Sequence, residues 1–312
     1  SAASDVYKRQ ALGDPQNSDG SVPESSWIPI GTEAKPYTGT FYGNGHTIKG
    51  LYINGLEVEQ GLFGVSSGTI KDVKMEGGYV KAKSRSGMIC GYNKGGKIIG
   101  CSNSGHVVVV EGEKGKTSEK VGGICGCNDS LNSGKTTTGG LISECCNTGN
   151  VLCEGDYSSA IGGICGQNIN SDSTIMRCYN TGKIDISKGG SDVGGICGSN
   201  CKETNKISCC YNTGTVIGAC NSTGGIVSWC NGFTENCYNA GTIKGEKLAD
   251  NYSQKDKPRH VGGICGYKRN NPIKCCYNVG KISAVNLTNG GIGEICESSD
   301  GINGDISEDC YY

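Results

Sequence analysis

The sequence predicts an all-β fold, a parallel β-helix with about one coil per repeat of 27–40 residues. Three observations carry that expectation. A Gly-Gly-Ile-Cys-Gly string recurs at 122–126, 162–166, 194–198 and 262–266. A second string, Cys-Tyr-Asn-x-Gly, follows at 178–182, 210–214, 237–241 and 276–280. The apolar runs are short and bounded by Gly and Asn, as strands are, and no stretch holds an apolar spacing of 3.6.

Looser copies complete the series. Gly61-Leu-Phe-Gly64, Gly87-Met-Ile-Cys-Gly91, Gly224-Gly-Ile-Val227 and Gly290-Gly-Ile-Gly293 extend the first string. Its apolar position falls at Leu62, Ile89, Ile124, Ile164, Ile196, Ile226, Ile264 and Ile292. Cys146-Asn-Thr-Gly149 and, more weakly, Cys101-Ser-Asn-Ser-Gly105 extend the second, and Cys310-Tyr311 would begin a last copy.

Within a repeat the expected elements are three short strands. The first is Gly-Gly-Ile-Cys-Gly, the second Ile-x-x-Cys-Tyr-Asn, and the third a segment such as Lys183-Ile184 or Thr215-Val216. Gly and Asn tolerate the left-handed conformations that the corners need. About six buried apolar side chains per unit supply about 1.5–3 kcal/mol each. Ordering about 30 residues costs about 1–2 kcal/mol apiece, so one coil cannot stand alone. Stacked coils cover each other's edges and core. Polar inserts at 111–120, 128–140 and 244–260 account for the uneven repeat lengths and are expected to bulge from corners. They read as solvated loops, with an ion- or partner-binding loop at 244–260 the alternative.

Residues 1–10 (SAASDVYKRQ) match the in-frame translation of a transposase sequencing adaptor and are expected to be an artefact. Residues 11–26 are expected to be a disordered or partial coil, and 27–312 a single solenoid of about eight repeats, cut at both ends.

Composition removes several classes. The chain holds 54 Gly and 21 Cys in 312 residues, but only 6 Pro and no Gly period of three, so it is not collagen. Lys plus Arg is 29 and Asp plus Glu 30, which leaves no basic field for nucleic acid or an anionic membrane. No apolar run approaches the length of a membrane span.

Trp27-Ile-Pro-Ile-Gly31, Tyr37-Thr-Gly-Thr-Phe-Tyr-Gly-Asn-Gly-His-Thr-Ile-Lys-Gly-Leu-Tyr-Ile53 and Gly61-Leu-Phe-Gly64 resemble the GLUG-motif proteins. These are repetitive bacterial surface and secreted proteins, and their motif also occurs in an immunoglobulin A-cleaving metallopeptidase. The resemblance implies a right-handed coil, a surface or secreted location, and first coils formed by the opening segment. The chain departs from the pattern by placing Cys where Val or Ala is more usual.

The cysteines fall in two columns. One is Cys90, Cys125, Cys165, Cys197 and Cys265; the other is Cys101, Cys146, Cys178, Cys210, Cys237, Cys276 and Cys310. Equivalent residues on adjacent coils lie about 4.8 Å apart, so these become ladders, and buried thiols packed as small hydrophobes are the expected reading. Disulfides, metal binding and a catalytic thiol are the competing readings. Neighbours in a ladder point in parallel, which suits a disulfide poorly. The vicinal pairs 145–146, 209–210 and 275–276 should point to opposite faces. No Cys-x-x-Cys occurs, so no cofactor or metal is expected.

Asn147, Asn180, Asn212, Asn239 and Asn278, with Asn103, form one amide ladder; Asn93, Asn128, Asn168 and Asn200 form a second. Tyr179, Tyr211, Tyr238 and Tyr277, with Tyr311, follow their Cys directly, so they should form an outward stripe able to contact sugars or proteins. Asp and Glu fall mainly in the inserts and no acidic column is visible, which disfavours glycoside hydrolysis. No His-Glu-x-x-His is present. The expected function is a non-catalytic extracellular stalk contacting a host or bacterial surface glycan or protein. The alternative is an accessory β-helix of a larger secreted peptidase or carbohydrate-active enzyme.

Overall fold

The computed structural model describes residues 26–312 apart from 56, 111–119, 135, 155–159, 247–259, 286–290, 300–306, 309 and 311–312. The adaptor-like residues 1–10 and most of 11–26 therefore lie outside the described residues. Every regular element described is a β-strand.

The chain winds as a parallel β-helix. One coil shows the plan: Cys165–Asn168 on a first face, Thr174–Met176 on a second, Tyr179–Asn180 on a third and Ile184–Gly194 on a fourth. Each face stacks into its own sheet, of eight, nine, eight and twelve strands respectively. Like pairs with like across coils. Cys125 pairs with Cys165 and Cys165 with Cys197. Ile142, Ile175 and Ile207 follow one another, as do Asn147, Asn180 and Asn212.

The three expected strands are thus four faces. Ile-x-x-Cys-Tyr-Asn does not run straight, because the residue before the Cys turns the chain. Asp72, Gly100, Glu144, Arg177, Cys209, Asn236 and Cys275 occupy this corner on successive coils, all with φ between 49° and 63°. Such a residue aims its two neighbours at different faces and splits the segment in two.

The core is one continuous column. Leu62, Ile89, Ile124, Ile164, Ile196, Ile226 and Ile264 are fully buried in it. The eighth expected member is wrong by three residues. Ile292 pairs with Val261 and is 47% exposed, whereas Ile295 accepts the amide of Ile264 and is buried. Gly291-Ile292-Gly293 therefore aligns with His260-Val261-Gly262, which places Ile292 ahead of the string's isoleucine position. Coils approach closely where the strings meet. A Cβ on Gly195 would lie 2.0 Å from the Gly225 carbonyl oxygen and 2.6 Å from Asn212 Cγ, so only glycine fits.

Insertions leave from defined places. Of the expected insert 128–140, Asn128 and Asp129 stay in the first sheet, while Leu131–Asn132 and Thr137–Thr138 pair antiparallel as a projecting hairpin. Of 244–260, Lys244 and Gly245 remain in the fourth sheet and His260 opens the next strand; 247–259 lie outside the described residues, as do 111–119.

Candidate functional site

Two thiol files run through the core. In the first, Val227 interrupts the expected Cys column between Cys197 and Cys265, and Cys296 extends it. In the second, Cys145 replaces the expected Cys146. Ser102, Cys146 and Tyr179 share one register position, so Cys146 belongs to the tyrosine column. The physical reason is the Asn ladder: aligning Asn147 with Asn180 puts Cys146 at the Tyr position and Cys145, fully buried, at the inner one. Cys209 and Cys275 are exposed while Cys210 and Cys276 are buried, so each vicinal pair does face two ways. The cysteines described other than Cys153, Cys296 and Cys310 are free thiols. Burial pushes the Cys90, Cys165, Cys178 and Cys237 thiols well above the ordinary thiol value.

Both amide ladders form. Asn103, Asn147, Asn180, Asn212 and Asn239 each donate from Nδ2 to the Oδ1 of the next Asn at 2.8–2.9 Å. The same nitrogens donate to the carbonyl two residues on, as Asn212 does to Gly214 at 2.9 Å. In the second ladder Asn93, Asn128 and Asn168 do likewise at 2.7–2.9 Å. Cys230 and then Lys268 continue that position beyond Asn200.

The tyrosine stripe exists and is a stack. Tyr179–Tyr211, Tyr211–Tyr238 and Tyr238–Tyr277 have ring centroids 4.9, 4.9 and 5.0 Å apart and planes within 3°, 5° and 6°. Tyr277 is exposed and the other three half-buried; Tyr311 lies outside the described residues. Because neighbouring rings cover each other's faces, the stripe presents ring edges and hydroxyls rather than open faces for sugar stacking. Cys146 ends the stack: its contact with the Tyr179 hydroxyl pushes that phenol up to about 12.

A second surface was not expected. The outer side of the first sheet carries a further column, Val65, Tyr92, Cys127, Gln167, Ser199, Trp229 and Tyr267, one per coil. A neighbouring register position carries Lys120, Ala160, Asp192, Ser222 and His260. At one end Lys94 Nζ holds Glu33 at 2.8 Å, Arg85 holds Glu59 at 2.5 Å, and the Arg85 guanidinium lies 4.9 Å over the Tyr92 ring. The Tyr92 hydroxyl and Asn170 Nδ2 donate to Asp129. The Lys94 ammonium lowers the Glu33 carboxyl, and burial raises that of Glu59.

Farther along this face, burial pushes Asp192 up to about 7, although Ser199 donates to it at 3.1 Å. Ser222 and Ser228 donate to each other's carbonyls at 3.0 and 2.7 Å, and the Ser228 hydroxyl also lies 3.4 Å from Asp192 Oδ1. The register position of Asp192 carries Lys120, Ala160, Ser222 and His260 on the other coils, so its acidic character does not repeat. The signal was readable: the residue before each Val-Gly-Gly or Ile-Gly-Gly is Lys120, Ala160, Asp192 and His260. Among the described residues, no three or more His, Cys, Asp or Glu side chains converge to hold a metal ion, and no helix is long and apolar enough to cross a membrane.

No family model matches the chain, and no curated protein matches its sequence. A crystal structure of a candidate immunoglobulin A1 protease from Bacteroides ovatus is similar, with a TM-score of 0.56 and 23% identity. The match covers 70% of this chain and 66% of that one, so this chain spans just under two thirds of its length. What the two share is the fold. The resemblance to GLUG-motif proteins rests on the motif residues alone.

Proposed function

We propose that the protein is a non-catalytic repeat protein of the cell surface or the extracellular space, a stiff stalk whose outer faces contact a host or bacterial glycan or protein. The observation that carries this reading is the regular stack itself, with a filled core and an outward file of Tyr179, Tyr211, Tyr238 and Tyr277 at 4.9–5.0 Å intervals. Ring edges and hydroxyls at that interval match a polymer that presents a polar group about every 5 Å, the spacing strands impose on one another. On this reading the chain uses no cofactor. A second reading, an accessory β-helix of a larger secreted peptidase, is favoured by the fold likeness to the candidate immunoglobulin A1 protease.

Glycan arrays, mucin and immobilised surface proteins test the first reading. Binding that falls at least tenfold in Tyr211→Ser/Tyr238→Ser supports it. Binding to none of these surfaces overturns it, and cleavage of immunoglobulin A by a protein that joins this β-helix to a peptidase domain would favour the second.

A further inference from the structure

Seven thiols stand in one file: Cys101, Cys145, Cys178, Cys210, Cys237, Cys276 and Cys310, each the neighbour of the next. From Cys178 onward their surroundings repeat. Cys178, Cys210, Cys237 and Cys276 each donate from Sγ to the carbonyl two residues back, at 3.2 Å. The backbone N–H of each of these four donates to the sulfur of the next coil's Cys, at 3.3–3.4 Å. Identical surroundings make the sulfurs a translational repeat, spaced as the strands are, about 4.8 Å apart.

That spacing has a chemical meaning. A zinc–thiolate bond is about 2.3 Å, and two bonds of that length in line span about 4.6 Å, which sets the scale for a linear sulfur–metal–sulfur unit. Soft thiolates select copper(I) and similar thiophilic ions. Two-coordinate binding needs only a pair of sulfurs, which agrees with the absence of larger ligand clusters among the described residues.

We propose that this file binds thiophilic monovalent cations of the copper(I) class, each held linearly between two successive sulfurs. One ion replaces one proton: an S–H bond breaks, two sulfur–metal bonds form, the proton leaves to solvent and no electron moves. The product is one thiolate, one thiol and one cation, so the core stays neutral and no unpaired charge is buried. The inward N–H groups stabilise the thiolate. Seven sulfurs, two to an ion, hold three ions. Because protons compete, uptake strengthens as pH rises. Cys310 is only half-buried, so the file reaches solvent at that rung.

The test is anaerobic titration with silver(I), a redox-inert probe, of protein carrying Cys209→Ser/Cys275→Ser to remove the exposed thiols. In that background, adding Cys145→Ser/Cys210→Ser/Cys276→Ser leaves no two adjacent sulfurs in the file while keeping an acceptor for each N–H. The expected result is three fewer silver ions bound and three fewer protons released. X-ray absorption of the silver-loaded parent should show two sulfur neighbours, and this measurement needs no file variant to fold. Equal uptake by parent and variant, three or four sulfur neighbours, or uptake only with loss of the β-sheet circular dichroism would each overturn the proposal.

Discussion

Cys210 offers its backbone N–H to the sulfur of Cys237, one coil on, at 3.4 Å. In a flat strand that amide would meet a carbonyl. Here Cys209, at φ 53°, turns it toward the core, and sulfur is the acceptor it finds. The thiol is therefore both a filler and a partner.

Cys237→Ala should strand the Cys210 amide and leave a small void, costing about 1–3 kcal/mol. Cys237→Ser keeps an acceptor and should cost less. Urea unfolding of the two variants checks the order; an alanine variant at least as stable as the serine variant would reduce the thiol to packing alone.

The amide ladder should be more sensitive. Asn212 donates to Asn239 and to Gly214, accepts from Asn180, and accepts the Gly214 amide. Asn212→Ala strips the Gly214 N–H and C=O of these partners, at about 1–3 kcal/mol each before relaxation, while Asn180 Nδ2 keeps Gly182 and Asn239 Oδ1 keeps the Gly241 amide. A loss of about 3 kcal/mol or more is expected in the unfolding free energy, with faster hydrogen exchange at Asn180 and Asn239 but not at distant coils.

Two glycine substitutions should separate close packing from backbone preference. Gly195→Ala would drive a Cβ into the Gly225 carbonyl and should block folding or lower the melting temperature by tens of degrees. Gly45 has φ 75° with nothing within 4 Å of an added Cβ, so Gly45→Ala should cost only about 1–2 kcal/mol. Paired thermal melts decide.

Asp192 sets a pH dependence. Its folded pKa, about 7, lies above the ordinary aspartate value near 4. Between those values the folded state binds more protons than the unfolded one, so this group's contribution to stability is full below about pH 4 and is lost as pH rises through 7. Asp192→Asn keeps an oxygen for Ser199 and removes the titration. The variant should gain on the parent as pH goes from 5 to 8, by about 1 kcal/mol or more. Parallel unfolding curves across that range settle the claim; a constant difference would refute it.

The repeat was legible because each coil reuses the same apolar and Gly positions, so Ile124, Ile164 and Ile196 announced the core directly. Errors arose where a string was incomplete. Cys145 and Cys146 are both cysteine, and only the register of Asn147 shows which faces inward. Ile292 sits in a Gly-rich string that mimics the true one three residues later. The left-handed corner stayed hidden because Asp72, Glu144, Arg177 and Cys209 share a backbone conformation and no side-chain chemistry. The column of Lys120, Ala160, Asp192, Ser222 and His260 was missed for a related reason. Its residues differ in charge from coil to coil, so alignment alone shows a column without a character.

The long inserts at 111–119, 155–159, 247–259 and 286–290 all join the two halves of the fourth face, where Ile184–Gly194 and Val216–Gly224 run on without a break. The strands on either side keep their pairing whatever the number of residues between them, so the pitch is untouched. The molecule thus works like a ruler with fixed gradations and interchangeable labels. What lies between two strands can differ in length from coil to coil, while where it begins and ends along the axis is set by the strand pairing.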